Sequence, residues 1–203
     1  MEKEIVRCAD LSKELNKSVT LVIDEVHVKE ELVYNKHQGN LIGFVNLGET
    51  NNHLLKLQEM LQGGQDHHAL ANSMLVFMVR GLFTKFNFPY AQFSCSDLSG
   101  DLMFDPFWEA IARLERQGFN VLAVTCDGAS TNRRLWKLHA DGNEMIYKIP
   151  NVYAAEGHRD LYLISDPPHL LKTIRNSWYN SKRGLWVSYI YIIMYQWYFD
   201  VWL

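Results

Sequence analysis

Asn120-Val-Leu-Ala-Val-Thr-Cys-Asp-Gly-Ala-Ser-Thr-Asn132 is the stretch that decides the fold. The run Val121 to Thr125 is apolar and rich in β-branched residues, as a buried strand requires. It runs out at Asp127, turns at Gly128 and gives way to a helix expected from Thr131 to His139. Ser18-Val-Thr-Leu-Val-Ile-Asp24-Glu25 has the same design. Each run ends in a carboxylate. A strand with Asp at its tip exposes that residue in the crevice at the sheet edge, where open α/β sheets bind ligands. Two such tips on neighbouring strands suit a divalent cation, because hard cations take oxygen ligands.

Outward from these two strands, the pattern predicts a mixed α/β sheet covered by helices. Residues 1–17 read as a charged lead-in with a short helix from Ala9 to Leu15. Glu31 to Asn35 and Leu41 to Leu47 flank the polar turn Lys36-His37-Gln38-Gly39-Asn40, which predicts a hairpin. Leu54, Leu57, Met60 and Leu61 keep helical spacing within a polar excursion over 49–68. Met74 to Val79 and Tyr90 to Cys95 read as further strands. Asp105-Pro106 offers an N-cap followed by proline at the first helical position, so a helix is expected from there to the stop at Gly118. Phe107, Ile111 and Leu114 would form its buried face. A turn is expected at Asp141-Gly142-Asn143, and Leu161 to Ile164 is one more buried strand, ending at Asp166. Pro167-Pro168 then starts a helix with Leu170, Leu171, Ile174 and Trp178 on one face.

Bulk properties narrow the class. The 203 residues carry a net charge of −3, so no overall basic field points to nucleic acid, although a local basic face remains compatible. Cys8, Cys95 and Cys126 share no metal-finger spacing and read as reduced thiols. The opening Met-Glu-Lys-Glu-Ile lacks the apolar run of a signal peptide. Gly184 to Leu203 holds one charge, Asp200, and is long enough to span a membrane, but its density of Trp and Tyr belongs to interfaces. A buried strand pair, or an unnatural end to a truncated product, fits it better.

Four ordered blocks carry a resemblance: Ile23-Asp24-Glu25-Val26; Leu32 to Gly48; Val124-Thr-Cys-Asp-Gly-Ala-Ser-Thr-Asn132; and Ser165-Asp-Pro-Pro-His-Leu-Leu-Lys-Thr-Ile-Arg-Asn176. They resemble the P-element-type transposases, over roughly residues 18–186. The resemblance implies a ribonuclease H-like core over 18–186, with 1–17 as lead-in and 187–203 as an atypical aromatic tail. It implies DNA cleavage and strand transfer by three carboxylates and two Mg²⁺ or Mn²⁺ ions in a nuclear protein. Transposon-end DNA is the implied partner, a homo-oligomer is possible, and no membrane is involved. Asp24 takes the place of the first carboxylate and Asp127 that of the second. In the family a GTP-binding domain is inserted after the segment matching Asp166-Pro-Pro-His169, and the third acid, a Glu, lies beyond it. GTP is therefore expected only with that insertion, and this stretch alone is expected to be weak or inactive.

Each candidate has a plain alternative. Asp127-Gly128 can be a strand-to-helix turn with the Asp side chain bonded to backbone. Asp166 is better read as the cap of the helix behind it. Glu25 is turned to the opposite face from Asp24 by strand alternation. His67-His68 lacks matched ligand partners, and His169 falls early in a helix. Lys172, Arg175, Lys182, Arg183, Arg133, Arg134 and Lys137 could meet a phosphate backbone or simply face water. Trp108, Trp136 and Trp178 read as core or interface anchors. A non-enzymatic remnant that binds DNA or a protein partner is the main alternative. A nucleotide-binding domain is weaker, because neither GxGxxG nor a P-loop pattern is present.

Overall fold

Ten-residue strand β1 (Ser18–His27) lies at the centre of the molecule and binds a different partner along each edge. One edge pairs antiparallel with β4 (Ser73–Gly81) along its whole length. The other pairs parallel with β6 (Asn120–Cys126), from Ser18↔Asn120 to Ile23↔Cys126. Beyond β4 lies β5 (Asn87–Cys95); beyond β6 lie β8 (Arg159–Ser165) and β7 (Lys148–Asn151). The sheet order is therefore β5-β4-β1-β6-β8-β7, with β1, β6 and β8 paired parallel and the β5·β4, β4·β1 and β8·β7 pairings antiparallel. The prolines sit where a missing N–H is tolerated, Pro89 and Pro150 both on edge strands. The computed structural model describes residues 2–61, 69–96, 98–140, 146–154 and 157–180. His67-His68, the turn at 141–143, Lys182, Arg183 and the tail from 184 onward lie outside the described residues.

Alternation along these strands builds the core. Leu21, Ile23, Leu75, Phe77, Val79, Val124 and Cys126 are buried on one face, against Met103, Phe107, Ile111 and Leu114. The latter four belong to α4 (Gly100–Arg116), which also packs on α5 (Ser130–Lys137). Fully burying a Phe or Leu side chain stabilises by about 1.5–3 kcal/mol, so this layer holds the sheet's curvature and position. On the other face, Tyr162 and Ile164 of β8 remain exposed. The result is a mixed sheet flanked by helices, as the pattern predicts.

Two expectations about helix positions, and one about burial, need correction. The first helix is α1 (Glu2–Ala9), followed by the single turn α2 (Glu14–Lys17), rather than a helix over 9–15. Ile5 is fully buried in the main core, so its apolar side chain decides where the helix forms. Helix α4 starts at Gly100, not at Asp105: Ser99 is its N-cap, with Oγ accepting from Leu102 N at 3.3 Å. Pro106 thus stands inside the helix and cannot donate to Leu102 O. Buried Asn51 does so instead, Nδ2 donating to that carbonyl at 2.9 Å. Asn51 is carried by α3 (Glu49–Leu61). The replacement bond satisfies the carbonyl that the interior proline leaves open. Finally, α6 (Pro167–Asn180) forms where expected, but none of its residues is buried, and Trp178 is two-thirds exposed rather than a core anchor.

The hairpin is present in shorter form, β2 (Val33–Asn35) against β3 (Asn40–Ile42), as a separate two-stranded sheet. Trp108 and Trp136 pack against the core as expected.

Candidate metal site at the ends of two parallel strands

Asp24 and Asp127 each follow the last register pair of β1 and β6, Ile23↔Cys126, so they occupy equivalent places on neighbouring strands. Adjacent strands lie about 4.8 Å apart, which brings the two carboxylate-bearing residues side by side. Asp24 does not end its strand, however. The antiparallel pairing with β4 carries β1 on to His27, with Asp24 opposite Val76. It is the parallel half of the pairing that stops at Ile23, and this opens a cleft beside Asp24.

That cleft has a volume of about 170 Å³. Asp24 and Asp127 both border it, with Glu25, His27, Asn132 and Thr131 around them and Leu75, Leu98 and Met103 at its floor and walls. Glu25, set aside by alternation, therefore still borders the same cleft, and so does His27, which the sequence reading did not single out. Both follow from the extension of β1 past Asp24.

The local bonds leave each aspartate half engaged. Asp24 Oδ1 accepts from Glu25 N at 2.9 Å. Asp127 Oδ1 accepts twice, from Ala129 N at 2.9 Å and from Asn132 Nδ2 at 2.7 Å. The turn expected of an Asp-Gly pair is thus present, with the side chain bonded to backbone. It does not consume the carboxylate: the Oδ2 atoms of both aspartates have no protein donor among the described residues. Gly128 keeps open space around its Cα, and Arg133 donates from NH1 to its carbonyl.

Cys126 lies directly before Asp127 and is buried. Burial, with the neighbouring Asp127 charge adding to it, pushes its thiol up to about 12. It stays a neutral thiol near pH 7 and is no thiolate ligand. The oxygen-only donor pair suits a hard cation rather than a soft one.

Asp166 extends the same row. Ser165 pairs with Cys126, and Asp166 N donates to Cys126 O at 2.8 Å. Asp166 is two strands from Asp24, about 10 Å at the usual spacing, and it does not border the cleft. Its carbonyl accepts from Leu170 N in the first turn of α6, and its Oδ2 lies 3.7 Å from His169 Nε2. Among the described residues, no three His, Cys, Asp or Glu side chains come together as a complete metal cage. Asp24 and Asp127 fit a divalent cation as two of its ligands, with the remainder left to water or to a group outside the described residues.

Of the basic residues, Arg134 is engaged by Asp101, NH2 to Oδ1 at 2.8 Å, and ties α5 to α4. Lys137, Lys172 and Arg175 are exposed.

The geometry can be set beside known proteins. The TNP-like, RNase H N-terminal domain family matches residues 3–140. The Transposable element P transposase of Drosophila melanogaster is 31% identical over 72 residues, which is 35% of this chain and 9% of that protein. A solved structure, the Drosophila P element transposase strand transfer complex, superposes with a TM-score of 0.60 at 19% identity, over 85% of this chain and 32% of the matched chain. This chain therefore spans under a third of the solved relative's length, and the aligned segment a tenth or less of the curated one.

Proposed function

The chain belongs to the TNP-like, RNase H N-terminal domain family, and from that premise we propose that it forms the nucleolytic core of a P-element-type DNA transposase. In this reading Asp24 and Asp127 hold Mg²⁺ or Mn²⁺ against a phosphodiester of transposon-end DNA, in the nucleus. One observation carries it: two aspartates stand side by side where the parallel pairing of β1 and β6 ends, on one cleft, each with a carboxylate oxygen that no described residue engages. When bound, two divalent ions stabilise the attacking and leaving oxygens of an in-line displacement at phosphorus. The protein's own part is positional. Strand pairing fixes the two aspartates, the N–H donors at Oδ1 orient their carboxylates, and Leu75, Leu98 and Met103 limit water at the cleft. The third acidic ligand is assigned to a residue outside the described ones.

Mn²⁺ binding tests this reading directly. Titration followed by electron paramagnetic resonance should show loss of the free Mn²⁺ signal with wild type. Asp24→Asn and Asp127→Asn should each bind at least tenfold more weakly. Equal binding by all three would overturn the assignment.

A second reading is a transposon-derived remnant that binds DNA without cutting it. Exposed Lys137, Lys172 and Arg175 would then meet phosphates. That mode predicts DNA binding that falls steeply with salt and is unchanged by Asp24→Asn.

A further inference from the structure

Asn132 is the third residue of α5, and only 7% of its surface is exposed. A buried side-chain amide must find partners, because an unsatisfied one costs about 1–3 kcal/mol. Among the described residues, Asn132 directs its Nδ2 to one residue alone: Asp127 Oδ1 at 2.7 Å and Asp127 O at 3.4 Å. The second donor to Oδ1 is Ala129 N, at 2.9 Å from the other side of the turn. Two donors converging on one oxygen fix the carboxylate's rotation. They also neutralise part of the charge on Oδ1, leaving Oδ2 as the oxygen available at the cleft.

Helix α5 is itself held firmly. Leu135 is fully buried, Trp136 meets Phe107 edge-on at 6.1 Å, and Arg134 is paired with Asp101. The amide is therefore delivered by a packed helix and not by a mobile loop. Asn132 also borders the cleft that Asp24 and Asp127 border.

We propose that Asn132 is a positioning residue for the metal site: together with the Ala129 amide it holds Asp127 in the one rotation that presents Oδ2 to a divalent cation. This inference rests on the metal-site reading above. Outer-shell hydrogen bonds of this kind typically set metal affinity by 10–100-fold. Asn132 makes no direct contact with the cation in this assignment.

Two variants test it independently. Asn132→Leu keeps the branched shape and the number of side-chain heavy atoms and removes the donor. Ala129→Pro removes the other N–H at a backbone φ of −59°, which proline adopts without strain. Mn²⁺ affinity is read by electron paramagnetic resonance on the full chain, with the metal-free melting temperature as the folding control. The expected result is affinity weakened about tenfold or more in each variant, with the Ala129→Pro melting curve unchanged. A merely structural Asn132 would lower the metal-free melting temperature and leave the affinity alone. If wild type and both variants bind Mn²⁺ equally, the positioning role is overturned and the metal site stands. If wild type itself fails to bind, the metal site falls and the positioning role with it.

Discussion

Ile23 and Cys126 are register partners on parallel neighbours, and this single pairing sets Asp24 beside Asp127. The proposed metal site follows from it. The residues 103 positions apart meet because two β-branched runs choose each other as strands, and the sheet then continues on either side.

The contact between α4 and α5 controls the site from behind. A Cβ at Gly100 would sit 2.6 Å from Thr131 O and 2.7 Å from Arg134 Cβ. Alanine gains about 1 kcal/mol of helix propensity over glycine. A clash with a backbone oxygen costs more, about 1–3 kcal/mol, so the net effect is destabilising. Gly100→Ala should lower stability in urea denaturation and displace α5. Because Asn132 follows Thr131, Mn²⁺ affinity should fall as well. A variant as stable as wild type would contradict the packing described.

His139 makes stability depend on pH. Trp108 Nε1 can only donate, and it donates to His139 Nε2 at 3.0 Å; Nδ1 of the ring then donates to Leu135 O at 2.9 Å. The ring is therefore neutral, with its proton on Nδ1. Burial is the largest influence on it and lowers its pKa below the usual histidine value; the backbone contacts at Leu135 and Trp136 oppose this only in part. The folded state binds its proton less readily than the unfolded chain. Stability is thus complete above the unfolded pKa, about 6.5, and is lost as pH falls from there toward the folded value. Urea midpoints measured between pH 7.5 and 5.5 should fall, and His139→Gln should flatten that slope. An unchanged slope in the variant would remove His139 as the cause.

The far end of the sheet is clamped by a buried ion pair. Glu115 is almost wholly inaccessible, and its Oε1 accepts from Val121 N at 2.9 Å, from Asn151 Nδ2 at 2.8 Å and from Arg159 NH2. Four elements, α4, β6, β7 and β8, meet there. Removing one partner strands a buried charge, at a cost of about 3–5 kcal/mol. Arg159→Leu should therefore destabilise far more than Lys148→Leu, whose partner Asp160 is exposed. Equal melting temperatures for the two variants would contradict the clamp.

Sequence patterns were a good guide where burial is one-dimensional. Val121 to Thr125 and Val19 to Ile23 are strands because β-branched runs pack well inside a sheet, and both carboxylates stand beside their junction. Patterns misled where a distant residue intervenes. Asp105-Pro106 looks like a helix start, but Asn51, more than fifty positions earlier, bonds the carbonyl that Pro106 leaves open. Strand β7 went unseen because Lys148-Ile-Pro-Asn151 is short and contains proline, and only its edge position makes that acceptable. His27 has no signal in the sequence, where β1 reads as ending at Asp24, because the pairing that carries the strand onward is with β4. Asn132 had a local signal, five positions after Asp127 across a strand-to-helix turn, but an asparagine early in a helix is common enough to pass without comment.

The most direct test of the central claim is the melting temperature of the wild-type chain with and without millimolar Mn²⁺, beside Asp127→Asn. A ligand present at tenfold over its Kd stabilises the folded state by about 1.4 kcal/mol, which in a domain of this size is a shift of about 3–5 °C. The account predicts that rise for wild type and none for Asp127→Asn, with similar metal-free curves. An unchanged wild-type curve, or an equal rise in the variant, would contradict it.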